Sequence, residues 1–171
     1  MSSKEQPNTI IGIDPGTRVT GYGVIRLQGN SYRAIDYGCI CPPTTLKLSE
    51  RYLIIFNALE TILNRYEPDV LAIESQYVGK NAQSALKLGQ ARGVAMVVAK
   101  RKGITIYEYP PSSIKKAVGS GKASKEQVKE LVKMMLGLEA LPQPSDAADA
   151  LAIALCHSNA VSFCSFMDRE I

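Results

Sequence analysis

The hydrophobic pattern changes period several times along the chain, and those changes divide it into elements. Ile10-Ile11-Gly12-Ile13 is an apolar, β-branched run suited to a pleated, buried environment. It ends on Asp14, and Pro15-Gly16 turns the chain immediately afterwards. Residues 20–25 and 32–40 read as two further strands joined by a turn at Gln28-Gly29-Asn30. Short links between the three predict an antiparallel meander, which Pro42-Pro43 closes. Over residues 47–66 the period becomes helical, with Leu48, Tyr52, Ile55, Leu59, Ile62, Leu63 and Tyr66 on one stripe. Ser49 is its expected N-cap, with Thr45 as the alternative.

The second half repeats the strand–helix alternation. Val70-Leu71-Ala72-Ile73 is a continuous apolar run, the mark of a strand buried on both faces, and it too ends on an acid, Glu74. Residues 81–100 form a helix rich in small residues, with more apolar surface than one contact face needs. Ala91 and Ala95 are expected on its outward side. Residues 104–108 make a fifth strand, ended by Pro110-Pro111, and residues 112–124 read as a mobile connection around Gly119-Ser120-Gly121-Lys122. Residues 125–136 predict a helix with Val128, Leu131, Val132 and Met135 inward and Lys125, Lys129 and Lys133 outward. A proline-interrupted linker, 138–144, leads to a last helix over 145–160.

This order predicts an α/β domain with a five-stranded mixed sheet flanked by helices. The last two strands each follow a helix and should run parallel to the first by right-handed crossovers. The first strand then sits centrally beside the fourth, and Asp14 stands next to Glu74. Asp146 and Asp149 share a face of the last helix's first turn. One acid there is explained by the helix dipole; the second is not. Ala147, Ala148, Ala150 and Ala152 let that helix lie close to the sheet and bring its acids to the same edge. Four carboxylates in one small volume stay ionised only if cations neutralise them. All-oxygen donors favour Mg²⁺, with Mn²⁺ as a substitute. Two such ions about 4 Å apart can activate a water and stabilise the leaving oxygen in phosphodiester cleavage.

Composition narrows the class. With 171 residues, 46% hydrophobic and 21% charged, the chain is one globular domain over 9–162, with loose tails at 1–8 and 163–171. No Trp and three Phe leave the core aliphatic. No apolar run approaches the roughly 18 residues of a membrane span, and the polar start lacks a secretory signal. Cys39, Cys41, Cys156 and Cys164 fit no metal spacing; Cys39 and Cys41 alternate as strand residues and are expected to pack, and one histidine, His157, does not make a zinc site. A reduced, cytoplasmic protein is expected. Residues 79–133 carry twelve Lys and Arg against three Glu, or +9, while the remainder carries eight against thirteen, or −5. A basic half beside an acidic half suggests a polyanion on one surface and a cation held on another.

The matching stretches are Gly12-Ile13-Asp14-Pro15-Gly16, Ala72-Ile73-Glu74, residues 80–93 and Asp146-Ala147-Ala148-Asp149-Ala150-Leu151-Ala152. Together they resemble the RuvC family of bacterial Holliday-junction resolvases, within the ribonuclease H-like nuclease superfamily. The resemblance implies a homodimer that nicks two opposed strands of a four-way DNA junction during recombination and repair. It implies metal ligation by Asp14, Glu74, Asp146 and Asp149, with the 81–100 helix forming much of the dimer interface. It also implies DNA contacts from Tyr77, Lys80, Lys115 and Lys125. Tyr77 stands where the family commonly has a base-stacking Phe, and the 115–125 loop is one residue shorter than the family form. Implied partners are the RuvA and RuvB branch-migration proteins. Two other readings stay open: an ATP-binding protein of the actin, sugar-kinase and Hsp70 fold, whose first strand also ends Asp-x-Gly-Thr, and a non-catalytic junction-binding module.

Overall fold

A computed structural model describes residues 7–75, 82–162 and 170–171; Tyr77, Lys80 and Cys164 lie outside them. Strands β1 (Thr9–Asp14), β2 (Thr20–Gln28) and β3 (Ser31–Ile40) form the meander, and Gly29 turns β2 into β3 with φ 62°. They are followed by α1 (Leu48–Tyr66), β4 (Val70–Glu74), α2 (Ala82–Arg101) and β5 (Thr105–Tyr109), then α3 (Pro111–Val118), α4 (Lys125–Leu136) and α5 (Ser145–Ser162). The sheet order is β3-β2-β1-β4-β5, with β1 antiparallel to β2 and parallel to β4, and β4 parallel to β5. The predicted mixed sheet, with β1 beside β4, is the one found.

Alternation along the strands splits the interior into two layers. Ile10, Val70, Ala72, Tyr107 and Tyr109 face α5, α3 and α4. Ile11, Ile13, Leu71, Ile73 and Ile106 face α1 and α2, where Ile55, Leu59 and Leu63 meet them. Asp36 ties α1 to the outer strands, its Oδ2 accepting from the Tyr66 hydroxyl at 2.7 Å and the Tyr22 hydroxyl at 3.2 Å.

Several local expectations are corrected. Lys47, rather than Ser49 or Thr45, caps α1, and its N–H donates to the Glu50 carboxylate at 2.9 Å. The segment read as mobile contains α3, with Pro111 at its start and Ile114 and Val118 buried. On α4 it is Leu136 that is buried with Val128 and Val132, whereas Met135 is exposed, because the helix meets the core along an i, i+4, i+8 stripe. On α2, Ala91 and Ala95 turn inward and are each 1% exposed; Leu86, Leu88 and Val97 are exposed apolar residues. Cys39 is half-buried but Cys41, just past β3, is exposed rather than packed. In the stretch read as a C-terminal tail, Glu170 bridges Tyr107 and the Ile171 N–H donates to the Ile106 carbonyl, extending the β5 edge.

Candidate active site

The two-residue strand period decides which acids can meet. Asp14 follows Ile10 and Gly12 by even steps, and Glu74 follows Val70 and Ala72, so both carboxylates fall on the α5 face. Ile13 pairs with Ile73 in parallel register, so the two acids leave the sheet side by side. They stand at the carboxyl ends of neighbouring parallel strands, where α/β sheets place their ligands.

Glycine brings α5 down onto these strands. A β-carbon on Gly12 would lie 2.0 Å from the Ala150 carbonyl oxygen, and one on Gly21 would lie 2.1 Å from that of Asp146. Main chain therefore rests on main chain, with no side-chain layer between. Gly21 pairs with Asp14 across β1 and β2, so the first turn of α5 lies over the strand pair that presents Asp14. Across β1 the turn is braced too. The Thr20 hydroxyl donates to the Gly16 carbonyl at 2.7 Å, and the Arg51 guanidinium on α1 donates to the Thr17 carbonyl. Arg51 stands 34 positions from Thr17, and no local pattern pairs the two.

A pocket of about 290 Å³ gathers Asp14, Glu74 and Asp149 with Lys115, Lys125 and Ile153. Asp146 is outside its lining, although its charge reaches both Asp14 and Cys39. Lys125 Nζ lies 3.6 Å from Asp149 Oδ2. Lys115 arrives on α3, so the helix missing from the sequence reading is what delivers that lysine. Among the described residues, no three Asp, Glu, His or Cys side chains already stand converged around one metal position.

Burial pushes the Asp14 carboxyl up to about 7, with the charges of Asp149, Glu74 and Asp146 adding to the rise and Lys125 opposing it. Glu74 is raised by burial and by Asp149. Asp149 is raised by burial and held back by Lys125. Three acids that resist ionising together form a receptor for positive charge.

A family model described as crossover junction endodeoxyribonuclease RuvC matches residues 10–157. The chain belongs to the RuvC family. The chain is 55% identical over 150 residues to the RuvC crossover junction endodeoxyribonuclease of Protochlamydia amoebophila, covering 87% of this chain and 89% of that protein. The Ruminiclostridium cellulolyticum protein of the same description is 46% identical, with 88% and 91% covered. Thermus thermophilus RuvC, solved in complex with a Holliday junction substrate, superposes with a TM-score of 0.87 at 30% identity, covering 95% of this chain and 99% of that one. The yeast mitochondrial Holliday junction resolvase shares the fold, with a TM-score of 0.64 at 15% identity over 91% of this chain and 81% of its own. RuvC membership makes the chain a crossover junction endodeoxyribonuclease and removes the ATP-binding and non-catalytic readings.

Proposed function

We propose that this chain resolves Holliday junctions by metal-dependent nicking of two opposed strands, using Asp14, Glu74, Asp146 and Asp149. The observation that carries the reading is the single pocket in which Asp14, Glu74 and Asp149 stand with Lys115 and Lys125. The donor set fits Mg²⁺ or Mn²⁺: hard carboxylate oxygens, raised in pKa by burial first and by one another's charge second. A bound pair of such ions would supply an activated water and neutralise charge on the departing oxygen. Asp14 and Glu74 hold their place from rigid strand ends, and Asp149 closes the set from α5. Asp146, one turn earlier, completes it from the side facing Gly21. Lys125 moves between two anions, pairing with Asp149 when the carboxylates are free and with DNA phosphate when they are engaged. Lys115 and Lys80 add phosphate contacts, and Tyr77 stacks on a base at the open junction centre.

The protein acts as a homodimer, since two symmetric strands need two sites. Leu86 and Val97 lie eleven residues apart on one face of α2, 65% and 56% exposed, and Leu53 on α1 is 59% exposed. That apolar surface supports pairing through α2, on the face opposite Ala91 and Ala95. RuvA and RuvB are the branch-migration partners this role calls for, and the cytoplasm is its setting. Among the described residues no helix is long and apolar enough to cross a membrane.

The test is a synthetic four-way junction labelled in turn on each strand. Paired nicks in opposed strands that require Mg²⁺ and stop with chelator are the expected result. A protein that binds the junction and leaves all four strands whole with Mg²⁺ and with Mn²⁺ would overturn the reading.

A further inference from the structure

His157 is the chain's one histidine and is 1% exposed, deep between α5 and β5. It stands eight residues after Asp149 on α5, a little over two turns along the helix. Burial lowers its imidazole to about 4, so it is neutral at ordinary pH. Its Nδ1 lies 2.7 Å from the Tyr109 hydroxyl oxygen, and its ring sits 4.7 Å from that of Tyr107 and 5.9 Å, edge-on, from that of Tyr109. Tyr109 ends β5 and pairs in register with Glu74, and its carbonyl accepts the Ser75 N–H at 2.8 Å. One residue is thus bonded through its backbone to the strand end that presents Glu74, and through its side chain to the helix that presents Asp149.

The geometry points to Tyr109 and His157 as positioning residues that set the separation of Glu74 from Asp149 for cation capture. The inference rests on the metal-dependent reading above. On the β1–β2 side, glycine contacts fix α5 against the strands: Gly12 and Gly21 meet its backbone directly. β4 and β5 contain no glycine, so that means of fixing the helix is missing beneath Glu74. The phenol–imidazole bond takes its place. Burying two polar groups costs free energy that an aliphatic pair would not, and the return on such a bond is a single fixed geometry.

The test compares Mn²⁺ binding by the intact protein without DNA, and junction cleavage with Mg²⁺, across Tyr109→Phe, His157→Gln and their combination. Tyr109→Phe removes one oxygen and keeps the ring. It is expected to weaken Mn²⁺ binding about tenfold, lowering kcat and leaving the junction KM in place. His157→Gln should act in the same direction, and the double variant should be no worse than the weaker single, as two ends of one bond require. Leu63→Ala, on the opposite face, supplies the structural control: a lower melting temperature with wild-type Mn²⁺ binding. Wild-type Mn²⁺ affinity in Tyr109→Phe would overturn the inference, as would losses in all variants that simply track melting temperature. If the unsubstituted protein neither binds Mn²⁺ nor cuts junctions, the functional reading itself fails, and the inference with it.

Discussion

The two faces of the sheet are packed by different means. On the α1–α2 face, Ile11, Ile13, Leu71 and Ile73 interdigitate with Ile55, Leu59 and Leu63, an aliphatic layer of side chains. On the α5 face, Gly12 and Gly21 let helix backbone touch strand backbone, and a polar bond between Tyr109 and His157 secures the far side. Side-chain layers adjust to lost or altered volume by changing rotamers, at a cost in stability. A main-chain contact has no rotamer to change. The face that cannot drift is the one that carries all four acids.

The largest expected contrast follows from that difference. Gly12→Ala places a methyl 2.0 Å from the Ala150 oxygen and 2.7 Å from the Ala154 nitrogen, so α5 must move. A loss of about 3 kcal/mol in denaturant melts is expected. Cleavage per folded molecule should fall about a thousandfold, as displacement of the proposed metal-binding acids implies. Leu63→Ala should also cost about 2–5 kcal/mol, yet the folded fraction should cut junctions at the wild-type rate. Equal loss of rate in both would erase the distinction between the faces.

A pH experiment sharpens it. In metal-free protein Asp14 titrates near 7 when folded against 3.8 unfolded, so between those values the folded state holds the extra proton. Its contribution is present below pH 3.8 and lost as pH rises through 7. Asp14→Asn lacks that loss. Between pH 4 and pH 8 the wild type should therefore lose about 2 kcal/mol relative to the variant, allowing for water that reaches the pocket. His157, lowered to about 4, works in the opposite sense but in both proteins, and it drops out of the difference. Chemical denaturation across that range checks the trend; a pH-independent difference contradicts it.

On the other face, Leu86→Glu or Val97→Glu should convert the proposed dimer to monomers in sedimentation without lowering the melting temperature of the monomer, whereas Ala91→Glu should unfold it. The smallest effect concerns the pocket rim. Lys115→Ala should weaken junction binding and reduce its salt slope by about one unit, measured by titration at several salt concentrations.

Much of this was legible in the chain. Apolar runs ending on Asp14 and Glu74, a hairpin turn at Gly29 and a helical stripe over α1 are local signals, and they were enough to place β1 beside β4. The alanines after Asp146 announced a close helix. What escaped depends on partners distant in sequence or on competing cues. Prolines and serines at 110–113 masked the Ile114–Val118 spacing of α3. The inward turn of Ala91 and Ala95 is set by the sheet beneath α2, since small residues suit either side of such a helix. Arg51 meets Thr17, and His157 meets Tyr109 across 48 positions, contacts that no window along the sequence contains.

In the proposed cutting site, Asp14, Glu74, Asp146 and Asp149 bind metal, while lysines beside them and on the surrounding surface hold the DNA. This division of roles is tested most directly by the four single variants Asp14→Asn, Glu74→Gln, Asp146→Asn and Asp149→Asn, assayed at limiting Mg²⁺ with junction binding measured in parallel. Each should lower the cleavage rate about a thousandfold, the scale of several kcal/mol of lost charge stabilisation, with junction affinity equal to the wild type or slightly higher. Wild-type cleavage by any one of the four variants, or cleavage lost only in step with junction binding, would contradict it.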